Sequence, residues 1–188
     1  MTRIALALAA SLLASSAFAA TPVQVGHFDQ VELSGGGHVT IKHGAVQSVT
    51  LVKGSTDITK FRIKDGDKLV IDACPHDCPM GRYDLEVEIV TPDIAAVAID
   101  GGGHIQAENG FPQQREFAAA VDGGGHIDMS ALSADQVEAA IDGGGHIEVK
   151  AVRALHAAVD GGGSIVYHGD PQVTQAIDGG GSVSRAMK

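Results

Sequence analysis

From residue 93 onward, apolar and polar residues alternate one by one around a recurring glycine triplet. Take the aspartate before each triplet as position zero. Position −1 then holds Ile99, Val121, Ile141, Val159 and Ile177, and position +5 holds Ile105, Ile127, Ile147, Ile165 and Val183. Odd positions further out include Phe117, Val137, Leu155, Val173 and Val149. A period of two marks strands with one buried face, so the odd positions are expected inward and the even positions outward. The outward set contains Asp100, Asp122, Asp142, Asp160 and Asp178 at zero, and His104, His126 and His146 at +4. It also contains Ala98, Ala120, Ala140, Ala158 and Ala176 at −2; their uniform small size suggests a close-packing neighbour, for which a second copy of the chain is one candidate. Glycine takes any φ freely, so the triplets are expected at bends.

The five aspartates recur at intervals of 22, 20, 18 and 18 residues, and an earlier copy stands at Ser34-Gly35-Gly36-Gly37-His38. Six triplets hold 18 of the 25 glycines. Two short strands per repeat, joined by glycine corners, form the rung of a β-solenoid. Ahead of the rungs, residues 27–33, 39–43, 46–52, 58–63, 68–72 and 83–90 also alternate as strands. Lys64-Asp65-Gly66-Asp67-Lys68 reads as a hairpin turn. No segment carries a helical period. The expected fold is therefore all-β, a β-solenoid with an N-terminal β-strand region. Residues 20–188 are expected to form a single domain, with regular rungs over 93–188.

Residues 1–19 are an address. Arg3 precedes an apolar run, and the segment closes on Ala17-Phe18-Ala19-Ala20. This is the pattern of a secretory signal peptide cut after Ala19, which places the protein outside the cytoplasm, periplasmic or extracellular. No later run is long enough to span a bilayer.

Thirteen Lys and Arg against 23 Asp and Glu leave a net charge of −10. Such a chain is a poor partner for nucleic acid or an anionic membrane surface. No Gly-x-Ser-x-Gly, His-Glu-x-x-His or phosphate loop is present. Solenoid glycosidases and lyases need paired carboxylates with aromatic or basic partners in a groove, and aromatics are only 4% of this chain. The chain is expected not to be an enzyme.

Two features carry chemistry. In an oxidising compartment Cys74 and Cys78 are expected to pair as a disulfide; a soft-metal set of Cys74, His76, Cys78 and Met80 is the alternative. On successive rungs, about 4.8 Å apart, the Asp and His positions would each form a row, with His38 joining if the first copy stacks in register. The plain reading of the aspartates is structural, each accepting N–H bonds from its own glycine triplet. The sharper reading is a site for Zn²⁺ or Cu²⁺ made of His104, His126 and His146 with Asp100, Asp122 and Asp142.

The order of motifs resembles a known family. Phe28-x-x-Val31-x-Leu33-Ser34-Gly35 is followed by the Asp65-Gly66-Asp67-Lys68-Leu69-Val70-Ile71 hairpin. Leu85-x-Val87-x-Ile89-x-Thr91-Pro92 and the Asp-Gly-Gly-Gly rungs come next. This is similar to the bacterial family of putative auto-transporter adhesins, head GIN domain, across nearly all of the chain after residue 19. The resemblance implies a right-handed, β-helix-like solenoid and a role in adhesion, with no catalytic residues. The histidine after each glycine triplet departs from the family's usual corners. The expected function is that of an exported, non-catalytic interaction module with a protein or cell-surface partner; the alternative is a periplasmic protein binding a divalent metal.

Overall fold

The computed structural model describes residues 20–75 and 83–187. The signal segment 1–19 lies outside the described residues, as do His76, Cys78 and Met80, so neither the Cys74–Cys78 pairing nor the soft-metal set is placed.

Every regular element among the described residues is a strand. Seven strands precede the regular rungs: β1 (Thr21–Val23), β2 (Gln30–Gly35), β3 (His38–His43), β4 (Ser48–Lys53), β5 (Lys60–Lys64), β6 (Lys68–Asp72) and β7 (Glu86–Thr91). The rungs comprise β8 (Ala96–Gly101), β9 (His104–Ala107), β10 (Gln114–Gly123), β11 (His126–Gly143), β12 (His146–Gly161), β13 (Ser164–His168), β14 (Gln172–Gly179) and β15 (Ser182–Arg185). The fold is a β-solenoid, as the alternation predicts.

The strands form two walls. In wall A the order is β5, β6, β2, β8, β10, the second halves of β11 and β12, then β14. In wall B it is β1, β4, β7, β3, β9, the first halves of β11 and β12, then β13 and β15. From β6 and β7 onward every pairing is parallel. The N-terminal end is closed by antiparallel strands, β5 on β6 in wall A, and β4 on β7 with β1 on β4 in wall B. The β5–β6 hairpin turns at Asp65 (φ 54°) and Gly66 (φ 93°), where the sequence places it.

One continuous core lies between the walls. Leu33, Ile99, Val121, Ile141 and Val159 stack in register in wall A, none more than 3% exposed. Val39, Ile105, Ile127, Ile147 and Ile165 do the same in wall B. A fully buried aliphatic side chain contributes about 1.5–3 kcal/mol relative to exposure, so these columns dominate the stability of the stack. The expectation weakens in the last rung, where Val173 and Val183 are only partly buried. Ile177 continues the wall A register but is 41% exposed, because among the described residues β14 is paired on one side only.

The repeats differ in length without losing register. β11 has 18 residues and β12 has 16. Two register shifts, between Met129 and Ser133 and between Ala134 and Gln136, together absorb the excess, and Leu132 is buried in the core there. A bulge of this kind turns the chain from wall B to wall A without glycine.

Polar clasps hold the N-terminal cap. Gln47 donates through Nε2 to the Phe28 carbonyl at 2.6 Å and to Thr91 Oγ1 at 3.0 Å, and its Oε1 accepts from the Phe28 N–H. The Tyr83 hydroxyl accepts from the Ser55 N–H at 2.8 Å and lies 2.9 Å from Thr59 Oγ1, a buried group that also donates to the Ala73 carbonyl.

Candidate functional site

The chemistry-bearing residues sit on either side of the glycine corners, and the corners set their geometry. In the corner after Asp142, Gly143 has φ +117°, and a Cβ there would lie 2.6 Å from the Gly123 carbonyl oxygen. A Cβ on Gly145 would lie 2.5 Å from Val121 Cγ1 and 2.9 Å from the Gly125 carbonyl oxygen, whereas Gly144 meets nothing within 4 Å. The first glycine supplies the left-handed conformation, and the third lets the backbone settle on the core side chain one rung below.

The corner's own N–H groups are satisfied between rungs. Gly124 N–H donates to the Gly101 carbonyl, Gly144 to Gly123 and Gly162 to Gly143, each at 2.9 Å. His126 N–H donates to the Gly103 carbonyl and His146 N–H to the Gly125 carbonyl, also at 2.9 Å. This corrects the expectation that each aspartate accepts from its own triplet. The carboxylates of Asp100, Asp122, Asp142, Asp160 and Asp178 are exposed, and no hydrogen bond or ion pair reaches them among the described residues. They form a row of free charge along the edge of wall A, because the competing acceptor is a carbonyl about 20 residues away in sequence, not one nearby.

The histidines come together on the outer face of wall B. His38, His104, His126 and His146 stack ring on ring, with centroids 4.6, 4.6 and 4.7 Å apart and interplanar angles of 7°, 4° and 20°. Ser164 ends the ladder, its Oγ 2.7 Å from His146 Nδ1. Burial lowers the pKa of His104, and the neighbouring imidazoles of His38 and His126 lower it further. Burial and then His146 do the same for His126.

The carboxylates that act on this ladder are not the predicted ones. Asp128 and Glu148 exert the opposing, raising influence on His126, and Asp128 does so on His104. They lie two residues beyond His126 and His146, on the same outward parity, a relation that period two makes readable. Glu148 is itself in contact with His168 Nε2, and Asp128 accepts from Ser130 N–H and Oγ. Asp100, Asp122 and Asp142 stand before the corner in a separate row.

The lone pairs of an imidazole lie in the ring plane, so stacked parallel rings send them out side by side. Zinc needs its nitrogens to converge on one point at about 2.0–2.1 Å. Among the described residues, no three His, Cys, Asp or Glu side chains are grouped to hold an ion. The ladder as stacked is a row of parallel aromatic rings, not a preformed coordination centre.

The outer face of wall A is different in character. Ala118, Ala120, Ala140, Ala158 and Ala176 line a shallow depression of about 410 Å³, with Glu138, His156 and Thr174 on one side. Flanked by the aspartate row, this is a flat, small-residue surface with an acidic border.

Comparison with known proteins places the fold. The model of the family described as putative auto-transporter adhesin, head GIN domain, matches residues 27–115 and 113–171. A solved putative adhesin from Bacteroides fragilis is 17% identical, with a TM-score of 0.52, covering 92% of this chain and 98% of its own. A putative adhesin from Parabacteroides distasonis is 18% identical over 89% of this chain and 96% of its own, with a TM-score of 0.45. A putative lipid binding protein from the same organism is 15% identical over 90% of this chain and 96% of its own, with a TM-score of 0.42. No curated protein gives a significant sequence match. No helix among the described residues is long and apolar enough to cross a membrane.

Proposed function

Because this chain belongs to the family described as putative auto-transporter adhesin, head GIN domain, we propose that it is an exported, non-catalytic module that binds a protein or cell-surface partner through the outer face of wall A. The observation that carries this reading is the alanine-lined depression. Small side chains let a partner surface approach the sheet closely, at little cost in side-chain entropy. The unpaired aspartate row beside it favours a partner with basic groups at its rim. No nucleophile paired with a base lies in that face, and the near-absence of aromatics argues against a carbohydrate groove.

The test is binding of labelled protein lacking residues 1–19 to whole bacterial cells, compared with an Ala120→Arg/Ala140→Arg variant. Both positions are exposed, so the variant should keep its melting temperature. Binding should drop at least tenfold; unchanged binding by a folded variant would remove this face from the reading. Export is tested separately, by mass spectrometry of the secreted or periplasmic protein, whose first residue should be Ala20.

A second reading gives the histidine ladder a role in capturing Zn²⁺ or Cu²⁺. Its support is the gathering of four imidazoles on one face. It requires the rings of His104, His126 and His146 to rotate out of the stack. Titration of Zn²⁺ into the wild type and a triple His→Ser variant decides it, since equal affinities would eliminate this use.

A further inference from the structure

The corner opposite the glycine triplets changes along the solenoid. β11 and β12 run through it as continuous strands. In the earlier rungs the chain crosses by connections, residues 92–95 between β7 and β8 and 108–113 between β9 and β10. Each holds a proline, Pro92 and Pro112, with no N–H to give to a ladder. Where these connections enter wall A, β2, β8 and β10 lie side by side. A cavity of about 280 Å³ opens there, walled by Asp29, Asp93, Gln114, Arg115 and Glu116. The backbone at this point is satisfied: the Asp29 N–H donates to the Asp67 carbonyl at 3.0 Å, and the Asp29 carbonyl accepts from the Ala95 N–H at 2.7 Å. The side chains are not. Asp29 Oδ1 and Gln114 Nε2 are both shielded from solvent, and neither has a hydrogen-bond partner. Among the described residues no other buried side-chain atom is left so, and these two belong to the wall of one cavity. Leaving a buried polar group unpaired is costly, so two in one wall point to a group that completes them. At the mouth, Asp93, Arg115 and Glu116 are exposed, and no hydrogen bond or ion pair reaches their side chains among the described residues.

We propose that this corner cavity binds a free basic α-amino acid. One orphan is an acceptor and the other a donor. A simple cation would leave Gln114 without an acceptor, and a simple anion would leave Asp29 without a donor. A zwitterion answers both. Its α-ammonium donates to Asp29 Oδ1. Its α-carboxylate accepts from Gln114 Nε2 and pairs with Arg115, whose planar fork matches a carboxylate. The terminal torsions of Asp and Gln are soft, so each orphan turns into the cavity without moving the backbone. Three carboxylates against one guanidinium then select the side chain: a cationic one meets Asp93 and Glu116, and an acidic one is repelled. The volume lies just below the roughly 300–1,000 Å³ of sites for drug-sized ligands, which suits a smaller molecule. This inference does not rest on what the outer face of wall A binds.

Isothermal titration of L-lysine into the protein, in about 0.15 M salt to screen diffuse attraction, should show saturable binding of one molecule per chain. Asp29→Asn and Arg115→Ala should each weaken it at least tenfold. Both variants should keep their melting temperature, because Arg115 is exposed and Asp29 Oδ1 makes no bond to lose. Norleucine lacks the side-chain cation, lysinamide lacks the carboxylate and Nα-acetyl-lysine lacks the α-ammonium. Each should bind at least tenfold more weakly than lysine. No saturable binding up to about 10 mM lysine would overturn the proposal. So would equal affinity in Asp29→Asn, or equal binding of 1,5-diaminopentane, either of which would leave only unspecific attraction to acidic groups. Equal binding of lysinamide or Nα-acetyl-lysine would overturn it in favour of a peptide terminus.

Discussion

Within each glycine triplet the three residues do unequal work. Gly143→Ala places a Cβ against a carbonyl oxygen in a left-handed conformation, and Gly145→Ala drives one into Val121. Each should destabilise the protein by about 2–4 kcal/mol. Gly144→Ala meets nothing, so it should be neutral or stabilising by up to about 1 kcal/mol through the unfolded chain. Urea denaturation of the three variants checks the ranking. A similar contrast separates two isoleucines at one template position. Ile141→Asp buries a charge and should cost several kcal/mol, while Ile177→Asp should cost under about 1 kcal/mol. Inward residues such as Ile141 were legible because alternation reports burial directly. The role of Asp142 was not, because its neighbours' N–H groups find their acceptors one rung away, and local turn chemistry cannot reveal a partner that distant.

Rows of identical residues change the energetics of the strands that carry them. The aspartates of β8, β10, β11, β12 and β14 repeat at the strand spacing of about 4.8 Å, where two unit charges in water repel by roughly 1 kcal/mol before screening. Asp142→Asn removes the middle charge and should raise stability by about 0.5–1 kcal/mol at low salt, and by less in 0.5 M salt, as read by thermal melts. The histidine ladder acts in the opposite pH sense to a histidine that gains a carboxylate partner. His104 and His126 titrate below the ordinary histidine value in the folded protein, so the unfolded chain binds more protons once pH falls below about 6.5. Stability should therefore fall as the solution is acidified from about pH 6.5, partly offset by Asp128 and Glu148. Melting curves at pH 7.5 and 5.5 measure it, and His104→Ser/His126→Ser should flatten the difference. That the histidines would align was readable from the repeat. That they would stack flat, with Asp128 acting on His104 and His126 and Glu148 on His126, needed the side-chain geometry.

At the scale of the molecule, the strand segments of residues 27–90 were legible, but of their pairings only the β5–β6 hairpin was. Turn residues gave the β5–β6 hairpin, but alternation does not say whether a strand runs with or against its neighbour, so the antiparallel β4 and β1 and the parallel placement of β6 and β7 could not be read. Those placements bear on how the chain can fold. β4 follows β3 after a short connection, yet the two are not partners, because β7 lies between them. Likewise β6 separates β5 from β2. A chain appearing from its N-terminus therefore presents β3 and β4 long before the strand that joins them exists. The cap cannot close until Glu86–Thr91 has arrived. Once it has, each later rung finds a finished edge to dock on, one repeat at a time. Assembly is thus a late-started, one-directional zipper, with about half the chain committed before the first tooth engages.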